Sequence, residues 1–543
     1  MDSKKSEILY AESSGEGEVE LCKIEPSIVA AVDDRDQLVK LGKKPVLKVS
    51  SRCKIVQHVM VKMANDLSVT VLITWEASLV LFSQGLENGG PGGLVYTYII
   101  IWVGNLSTFT ALCEMVSIAP TSAGQYHWVW MLAPKKSRNL LSFVTGWLTA
   151  AGWQASVASA AYLCGNLSQG LALLSAPSYQ PTGWQNTLLS IGTMVVCWFI
   201  AIFLNFLLPK IEIAILVMHL TAFVGILVTL VTMGEHGDAA SVFQTFMNGG
   251  NWPTQGLSVL VGMIGNAFAF IGADAAFHLA EEIQKPSIYI PRAMVSGMLI
   301  NGVLGLSMLI AVCFSLVNLP DGPPQFIFPM LDVFYAVTKS APAAAAMGSI
   351  IATMGICALI GLYVSASRVL WSFARDHGVP FWQTVSKVNA TSQVPVWAVS
   401  ITGIITCLLT LINIGSEVAL NDVLSLSISC LYASYLITLS LFLWRRVTGA
   451  VAEPSDDEQE TALPDQLVWG PWRLNAMLGT ANNVFACLFL SFVLFFSFWP
   501  PATPVRAETM NYSFLGTGAV MGCSAIYYVF RAKKQYNGPV VEA

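Results

Sequence analysis

The residue of this sequence that most strongly suggests chemistry is Glu76, a lone carboxylate in the middle of an apolar stretch. It lies in VTVLITWEASLVLFSQGL, and the nearest charged residues are Asp66 and Glu87. An ionised side chain near the centre of a bilayer costs ~2.5 kcal/mol or more. Glu76 is therefore expected to face a cavity or the protein interior. There it would bind a cation, carry a proton, or hydrogen-bond a neighbouring helix as a packing residue.

A second polar feature lies in the apolar stretch VGMIGNAFAFIGADAAFHLAEEI. Gly262, Gly265 and Gly272 weaken a helix there, and Asp274 follows them. A helix interrupted near Gly272 would leave backbone amides and carbonyls free halfway across a membrane. Discontinuous helices of this kind form solute and ion sites in many secondary transporters. The glycines alone would fit close helix packing equally well, so Asp274 is what favours a site.

Three ionisable residues follow at i, i+3 and i+4 on one helical face: His278, Glu281 and Glu282. This spacing is typical of a gate or of a solvated helix end, and Lys285 nearby favours the solvated end. A His-Glu-Glu face could also suggest a metal site. We predict no metal, because no second group of ligands accompanies these residues.

Four further polar residues lie in apolar stretches and are weaker candidates for a site. Glu114 is expected to form an ion pair near a helix end. His219, Trp153 and Gln154 have no partner visible in the sequence, and a lone histidine inside a helix is more often a packing residue than a ligand.

The composition of the whole chain defines its broad class. Charged residues make up 11% of the 543 residues, hydrophobic residues 55%, and the mean hydropathy is +0.62. Soluble domains carry about a quarter of their residues as charges, so we predict an all-α polytopic membrane protein. A net charge of −5 without a basic patch argues against nucleic-acid binding, and 11 scattered cysteines without a CxxC pair suggest neither disulfides nor zinc.

Apolar runs of about twenty residues predict twelve membrane-spanning helices. Their expected ranges are 66–87, 94–114, 142–170, 187–207, 211–233, 257–282, 293–317, 344–370, 396–414, 419–444, 476–499 and 511–531. A short helix outside the membrane is predicted within 326–340, and the acidic segment 450–470 is predicted to be a loop. The domains are then a disordered N-terminal tail (1–63), a transporter domain (64–534) and a short C-terminal tail (535–543).

The distribution of basic residues predicts the orientation of these spans. Cytoplasmic loops collect Lys and Arg. With both termini in the cytoplasm, all of the 28 basic residues except Lys339 and Arg506 fall on the cytoplasmic side. A miscounted span would destroy this alternation, so the sequence predicts twelve spans with both ends inside.

Spans 1 and 6 are five apart in this count, and both have polar interruptions near the midplane. Corresponding interruptions in two halves of a chain indicate an inverted repeat with a binding site between the halves. We therefore expect Glu76 and Asp274 to lie near one site.

Several stretches resemble a known family. TWEASLVLFSQGLENGGPGGLVY (Thr74–Tyr96) and EMVSIAPTSAGQYHW (Glu114–Trp128) resemble the first part of the fungal amino acid/choline permeases, which belong to the amino acid–polyamine–organocation (APC) superfamily. Three later stretches are similar to family segments in the same order: FIGADAAFHLAEEIQKPSIYIPRAM (Phe270–Met294), SASRVLWSFARDHGVPFW (Ser365–Trp382) and WPPATPVRAETMNYS (Trp499–Ser513). The resemblance covers about residues 64–531.

This resemblance implies a 5+5 inverted-repeat fold with discontinuous helices 1 and 6 and two appended helices. The unwound centres of the two broken helices would hold the substrate. The residues implied are Thr74, Trp75, Glu76, Ala77 and Ser78 in span 1, and Phe270, Ile271, Gly272, Ala273 and Asp274 in span 6. Many superfamily members have a Gly-rich break in span 1 that binds a carboxylate. This chain has Trp-Glu-Ala-Ser there, and Glu76 suits an amine better.

The function expected from these features is secondary active transport of an amino acid or a small amine such as γ-aminobutyrate or choline. Two intramembrane carboxylates and the resemblance favour proton coupling, although a sodium site is also compatible with the sequence. The alternatives are a non-transporting nutrient sensor of the same fold and a membrane enzyme, for which no catalytic motif is present. No cofactor is expected. The plasma membrane is the expected location, with an endomembrane as the alternative.

Overall fold

The computed structural model describes residues 72–319, 325–390, 392–415, 418–453, 467–507 and 509–540. The predicted N-terminal tail (1–63) and most of the 450–470 loop lie outside these residues. Ten helices within the described ranges are long and apolar enough to cross a membrane. Large apolar side chains are exposed on their outer faces, as at Val217, Val224 and Val231. The protein is therefore an integral multi-pass membrane protein, since such faces suit lipid rather than water.

The helices follow one another along the chain with short connections. Their bounds are α1 Thr74–Glu87, α2 Gly90–Ile118, α3 Gln125–Leu132, α4 Arg138–Ser175, α5 Gly183–Phe203, α6 Leu208–Met233, α7 Ala239–Phe243, α8 Gln255–Val261, α9 Ile264–Phe268, α10 Ala275–His278, α11 Pro286–Ser315, α12 Pro329–Thr338, α13 Ala341–Arg375, α14 Trp382–Val385, α15 Val396–Thr410, α16 Ala419–Val447, α17 Ala476–Phe496 and α18 Ser513–Phe530.

The ten long helices correspond to ten of the twelve predicted spans. The other two predicted spans, 1 and 6, are the ones expected to be discontinuous. In the described part of the chain, span 1 is the 14-residue helix α1, and span 6 is divided into α8, α9 and α10. Helix α12 lies inside the range 326–340 and confirms the short helix predicted there.

The break in span 6 lies where its glycine and aspartate predicted it. Residues 269–274 form successive turns between α9 and α10. Their hydrogen bonds have shorter spacing than those of an α-helix, as between the amide of Ile271 and the carbonyl of Phe268 at 2.9 Å. Gly272 has φ +98°, a conformation that residues with a Cβ rarely adopt. Gly272 is therefore the residue that allows the chain to turn here.

The predicted unwinding of Thr74–Ser78 is wrong. These five residues form the first turns of α1, and the amide of Ala77 donates to the carbonyl of Ile73 at 3.0 Å. A Trp-Glu-Ala-Ser sequence lacks the glycines that would favour a non-helical backbone. The irregular residue is Ile73, with φ +30°, directly before the helix.

Helices α4 and α1 each pack against several of the elements around this region. The 38-residue helix α4 packs along both α13 and α16, while α1 packs against α2, α9 and α11. The broken span therefore lies beside α1, which positions the two polar stretches of the sequence in one part of the molecule.

Within the described residues, the 450–470 segment contains two short β-strands, which the all-α prediction did not include. Val451–Ala452 (β1) pairs in parallel with Leu467–Val468 (β2). This two-stranded pairing closes the connection between α16 and α17.

Candidate functional site

A cavity of about 670 Å³ lies between α1, α4, the broken span and α13. Its described lining consists of Leu72, Ile73, Glu76, Ala77, Val80, Ser156, Ala160, Leu163, Cys164, Leu167, Phe268, Ile271, Ile351, Gly355, Ala358 and Leu362. The wall is thus largely apolar, and Glu76 is the ionisable carboxylate on it.

Glu76 is buried at the edge of this cavity and paired with His219 of α6. The carboxylate oxygen Oε1 lies 2.8 Å from Nδ1 of His219, and neither side chain is more than 1% exposed. The second oxygen, Oε2, has no hydrogen-bond partner among the described residues. One oxygen of the carboxylate is therefore held by His219, while the other is buried without a partner in the described structure.

Aromatic packing holds His219 in this position. The Trp75 ring lies 5.9 Å from the imidazole and 6.1 Å from the ring of Phe223, one turn further along α6. Trp75 and Glu76 are neighbours on α1, so one helix turn provides both the partner and the packing for His219. His219 is only a weaker candidate in the sequence, yet the structure places it beside the carboxylate.

The structure divides the ten predicted substrate-binding residues into two groups. Glu76, Ala77 and Ile271 line the cavity. The others do not appear on its described wall. Among them, Thr74 and Ser78 are buried with hydroxyls that have no partner in the described structure, and Phe270 packs against Tyr98 at 5.3 Å.

The cavity wall also contains residues that the sequence reasoning missed. Ser156, Ala160 and Cys164 recur every fourth residue of α4, and Gly355 and Ala358 line the wall from α13. Side chains four apart share one helical face. Small residues at every fourth position of α4 are the sequence signal that belongs to this wall.

Asp274 forms a separate buried centre. Its Oδ2 accepts from Nε2 of Gln125 in α3 at 3.0 Å and lies 3.5 Å from Nε2 of His278. Nδ1 of His278 lies 3.0 Å from the carbonyl oxygen of Ser122. Asp274 and His278 are no more than 1% exposed. The carboxylate thus connects the broken span to α3, not to the cavity wall.

The next acid along the broken span, Glu281, is held in an ion pair. Arg375, the last residue of α13, donates to both oxygens of Glu281 at 3.0 and 2.8 Å. The backbone amide and hydroxyl of Ser122 also donate to this carboxylate, at 3.2 and 2.5 Å. Glu281 therefore fastens the broken span to α13, which supports the gate interpretation over a solvated end.

Glu114 forms the ion pair that the sequence predicted. Nη2 of Arg446 lies 2.6 Å from its Oε1, and the amide of Leu474 donates to the same oxygen at 3.0 Å. Like Arg375, Arg446 lies near the end of a long helix, and we refer to the end of the bundle that carries these two arginines as the basic end.

The C-terminal segment packs onto the basic end. Tyr536 is fully buried, its hydroxyl lies 2.6 Å from Oγ of Ser142, and its ring lies 5.1 Å from that of Phe143. The amide of Val540 donates to Asp376 at 2.9 Å. We call residues 535–540 the C-terminal strap.

A chain of hydrogen bonds connects this strap to the ion pair of Glu281. Asp376 accepts from the hydroxyl of Tyr126 at 2.8 Å, and that hydroxyl lies 3.1 Å from Oγ of Ser372. Oγ of Ser122 donates to Glu281 and lies 3.2 Å from Oγ of Ser372. The strap and the broken span are thus parts of one polar network at the basic end.

Comparison with known proteins identifies the class to which this fold and cavity belong. Residues 67–520 match the model of the amino acid permease family. The chain is a member of the amino acid permease family.

Its relatives include several named fungal transporters. A putative amino acid/polyamine transporter of Macrophomina phaseolina is 29% identical, over 82% of this chain and 96% of the relative. The choline transporter of Saccharomyces cerevisiae is 26% identical, over 94% and 89% of the two chains. Amino-acid permease 2 of Neurospora crassa is 25% identical, over 87% and 83%. These relatives confirm the resemblance to fungal amino acid/choline permeases and support a transporter function.

Proposed function

We propose that this permease is a proton-coupled secondary transporter for a small amine or an amine-bearing amino acid, such as choline or γ-aminobutyrate. The observation that carries the proposal is the Glu76 carboxylate on the wall of an otherwise apolar cavity. A charge that is expensive to bury needs a compensating partner. A cationic amine in the cavity supplies that partner at Oε2.

The apolar wall suits the rest of such a solute. Methyl groups of a quaternary ammonium or the methylenes of an aliphatic amine gain free energy by leaving water for apolar surface. The small residues Ala160 and Gly355 leave room for them. No Lys or Arg occurs among the described lining residues, so the wall offers a carboxylate solute no cationic partner, which makes an amine the primary recognised group.

His219 sets a condition on cation binding. Its neutral form donates from Nδ1 to Glu76 and leaves the carboxylate negative, which attracts the solute. A doubly protonated His219 would neutralise Glu76 and repel a cation, by about 4 kcal/mol for unit charges 4 Å apart at an effective dielectric constant of 20. A cationic solute therefore binds with His219 neutral.

The relatives support the same substrate class. One relative is named for choline, another for amino acids and polyamines, and a third as an amino-acid permease. Choline and polyamines carry amine cations without a carboxylate.

We propose the plasma membrane as the location and the cytoplasm as the side of both termini, which places the basic end inside the cell.

Uptake by the purified full-length protein in liposomes tests the function. Radiolabelled choline, γ-aminobutyrate, polyamines and amino acids would be offered separately, with and without an imposed pH gradient. We expect accumulation of an amine-bearing solute that depends on the gradient. Absence of uptake for all of these solutes would contradict the proposal.

The role of Glu76 is tested by Glu76→Gln. This change preserves shape and removes the charge, so apparent affinity for a cationic solute should fall about thirtyfold or more, the equivalent of roughly 2 kcal/mol. Glu87→Gln is the matched control, because Glu87 lies at the other end of α1 and is exposed. Unchanged affinity in Glu76→Gln would show that this carboxylate does not bind the solute.

A further inference from the structure

The buried centre around Asp274 contains polar atoms without hydrogen-bond partners in the described structure. Gln125 donates to Oδ2, but Oδ1 of Asp274, Nε2 of His278 and the hydroxyl of Tyr435 have no partner among the described residues. Tyr435, on α16, faces the Asp274 carboxyl, and its hydroxyl can donate to that carboxyl. Nε2 of His278 then remains a buried polar atom without a partner, which is costly.

The histidine shows which atom is missing. Nδ1 of His278 lies 3.0 Å from the carbonyl oxygen of Ser122, and a carbonyl oxygen only accepts, so Nδ1 carries a hydrogen. In a neutral imidazole, Nε2 then has a lone pair. That lone pair faces Oδ2 of Asp274 at 3.5 Å. Two acceptors facing each other in a dry interior repel, unless one additional proton lies on the carboxyl or on Nε2.

The Glu76–His219 pair has a different geometry. There Nδ1 of His219 lies 2.8 Å from the carboxylate oxygen Oε1, so the hydrogen on Nδ1 of a neutral imidazole lies between the two groups. In the Asp274–His278 pair the hydrogen on Nδ1 goes to Ser122 instead. A hydrogen between that imidazole and its carboxyl therefore requires one additional proton.

Polar and aromatic groups from three helices surround the Asp274 centre. From α3 it meets the neutral amide of Gln125, from α16 the phenol of Tyr435, and from α4 the ring of Trp153, 5.6 Å from His278. Glu281, one turn further along the same span, is already neutralised by Arg375. One proton bound to the pair of Asp274 and a neutral His278 brings that pair to zero net charge.

We infer that Asp274 and His278 together bind the coupling proton, at a site separate from the solute carboxylate Glu76. This inference rests on the proposed transport function. One proton binds to the pair from one side of the membrane and leaves to the other, and no electrons or other bonds are transferred. Because Asp274 bonds to α3 and faces α16, its protonation changes the contacts that hold the broken span to both helices. Protonation of Asp274 would in this way influence the opening of the basic end, where the Glu281–Arg375 pair joins the broken span to α13.

Transport by reconstituted Asp274→Asn and His278→Gln variants tests the inference. The probe is the labelled solute that the wild type accumulates, with a pH-sensitive dye reporting proton entry. We expect accumulation and solute-driven proton entry to be lost, at least tenfold, while exchange of labelled for unlabelled solute continues. Asp332→Asn is the control, because Asp332 accepts from backbone amides of Gln325 and Phe326 away from this centre. Gradient-driven accumulation with proton entry in Asp274→Asn would overturn the inference and leave the proposed function intact.

Loss of exchange as well would point to a solute or folding role for Asp274 and would also overturn the inference. The outcome is distinguishable from failure of the proposed function, in which the wild type itself would accumulate no solute.

A second readout is independent of transport. The chain has 6 histidines, so ¹⁵N-histidine NMR of the full protein is feasible, with His278→Gln assigning the signal. We expect Nδ1 of His278 to be protonated; a neutral tautomer with hydrogen only on Nε2 would refute the argument.

Discussion

Arg375 donates two hydrogen bonds to Glu281, at 3.0 and 2.8 Å, and so joins the end of α13 to the end of the broken span. Both side chains are largely buried, at 8% and 2% exposure. A buried pair of this kind is costly to break on one side only, by about 3–5 kcal/mol, because the remaining charge loses its partner.

The first prediction concerns this pair. Glu281→Gln and Arg375→Gln should each destabilise the closed basic end and lower the thermal midpoint of the purified protein. The loss of stability in the double variant should be smaller than the sum of the losses in the two single variants, because neither charge is then left unpaired. A double-mutant cycle by thermal unfolding in detergent measures the coupling energy. Additive effects would show that the two groups do not interact in the membrane protein.

The second prediction concerns the turn at Gly272. Its φ of +98° makes any residue with a Cβ strained, by roughly 1–3 kcal/mol. Gly272→Leu should therefore abolish transport by displacing the break in the span. Gly256→Ala is the matched control, because Gly256 lies in α8 with open space where a Cβ would be added. Normal uptake by Gly272→Leu, with normal amounts of folded protein, would show that the turn is not needed.

The third prediction concerns the glycosylation sequon Asn511-Tyr512-Ser513. The Asn511 side chain is 1% exposed, and its Nδ2 donates to the carbonyl oxygens of Ser497 and Trp499 at 2.9 and 3.0 Å. An amide with these bonds is not accessible in the folded protein. Asn511 should remain unmodified on expression in a eukaryotic cell, and Asn511→Gln should change the mass measured by mass spectrometry only by the added methylene group. A glycan on Asn511 would contradict the buried position of its side chain.

The fourth prediction separates two contributions of Tyr536. Tyr536→Phe removes only the hydrogen bond to Ser142 and should destabilise the protein by about 1 kcal/mol. Tyr536→Ala also removes the ring that packs against Phe143 and should lower the free energy of unfolding by about 3–5 kcal/mol. Thermal unfolding of both variants measures the difference. Equal midpoints for the two would indicate that the ring contributes nothing beyond its hydroxyl.

Sequence patterns predicted the features that depend on neighbouring residues. Apolar run length located the helices, and the combination of Gly272 with Asp274 located the break in span 6. The resemblance to a family, in contrast, misled at Thr74–Ser78, where it suggested unwinding although Trp75, Glu76 and Ala77 carry ordinary helical preferences. The inverted repeat and the twelve-span count stay predictions.

The partners of the polar side chains could not be predicted, because they come from distant parts of the chain. His219 is 143 residues from Glu76, and Gln125 is 149 residues from Asp274. Neither pairing leaves a local pattern. The small residues at every fourth position of α4 do form a local pattern, but it indicates equally a helix contact or a cavity wall until the helices are placed.

The C-terminal strap has a consequence for the biogenesis of this protein. Tyr536 and Val540 follow every described helix in the chain, so the ribosome makes them after the whole bundle has been synthesised. Ser142 and Asp376, their hydrogen-bond partners, are made much earlier and remain without these contacts in the meantime. The basic end is therefore completed last, after all the helices are available to insert.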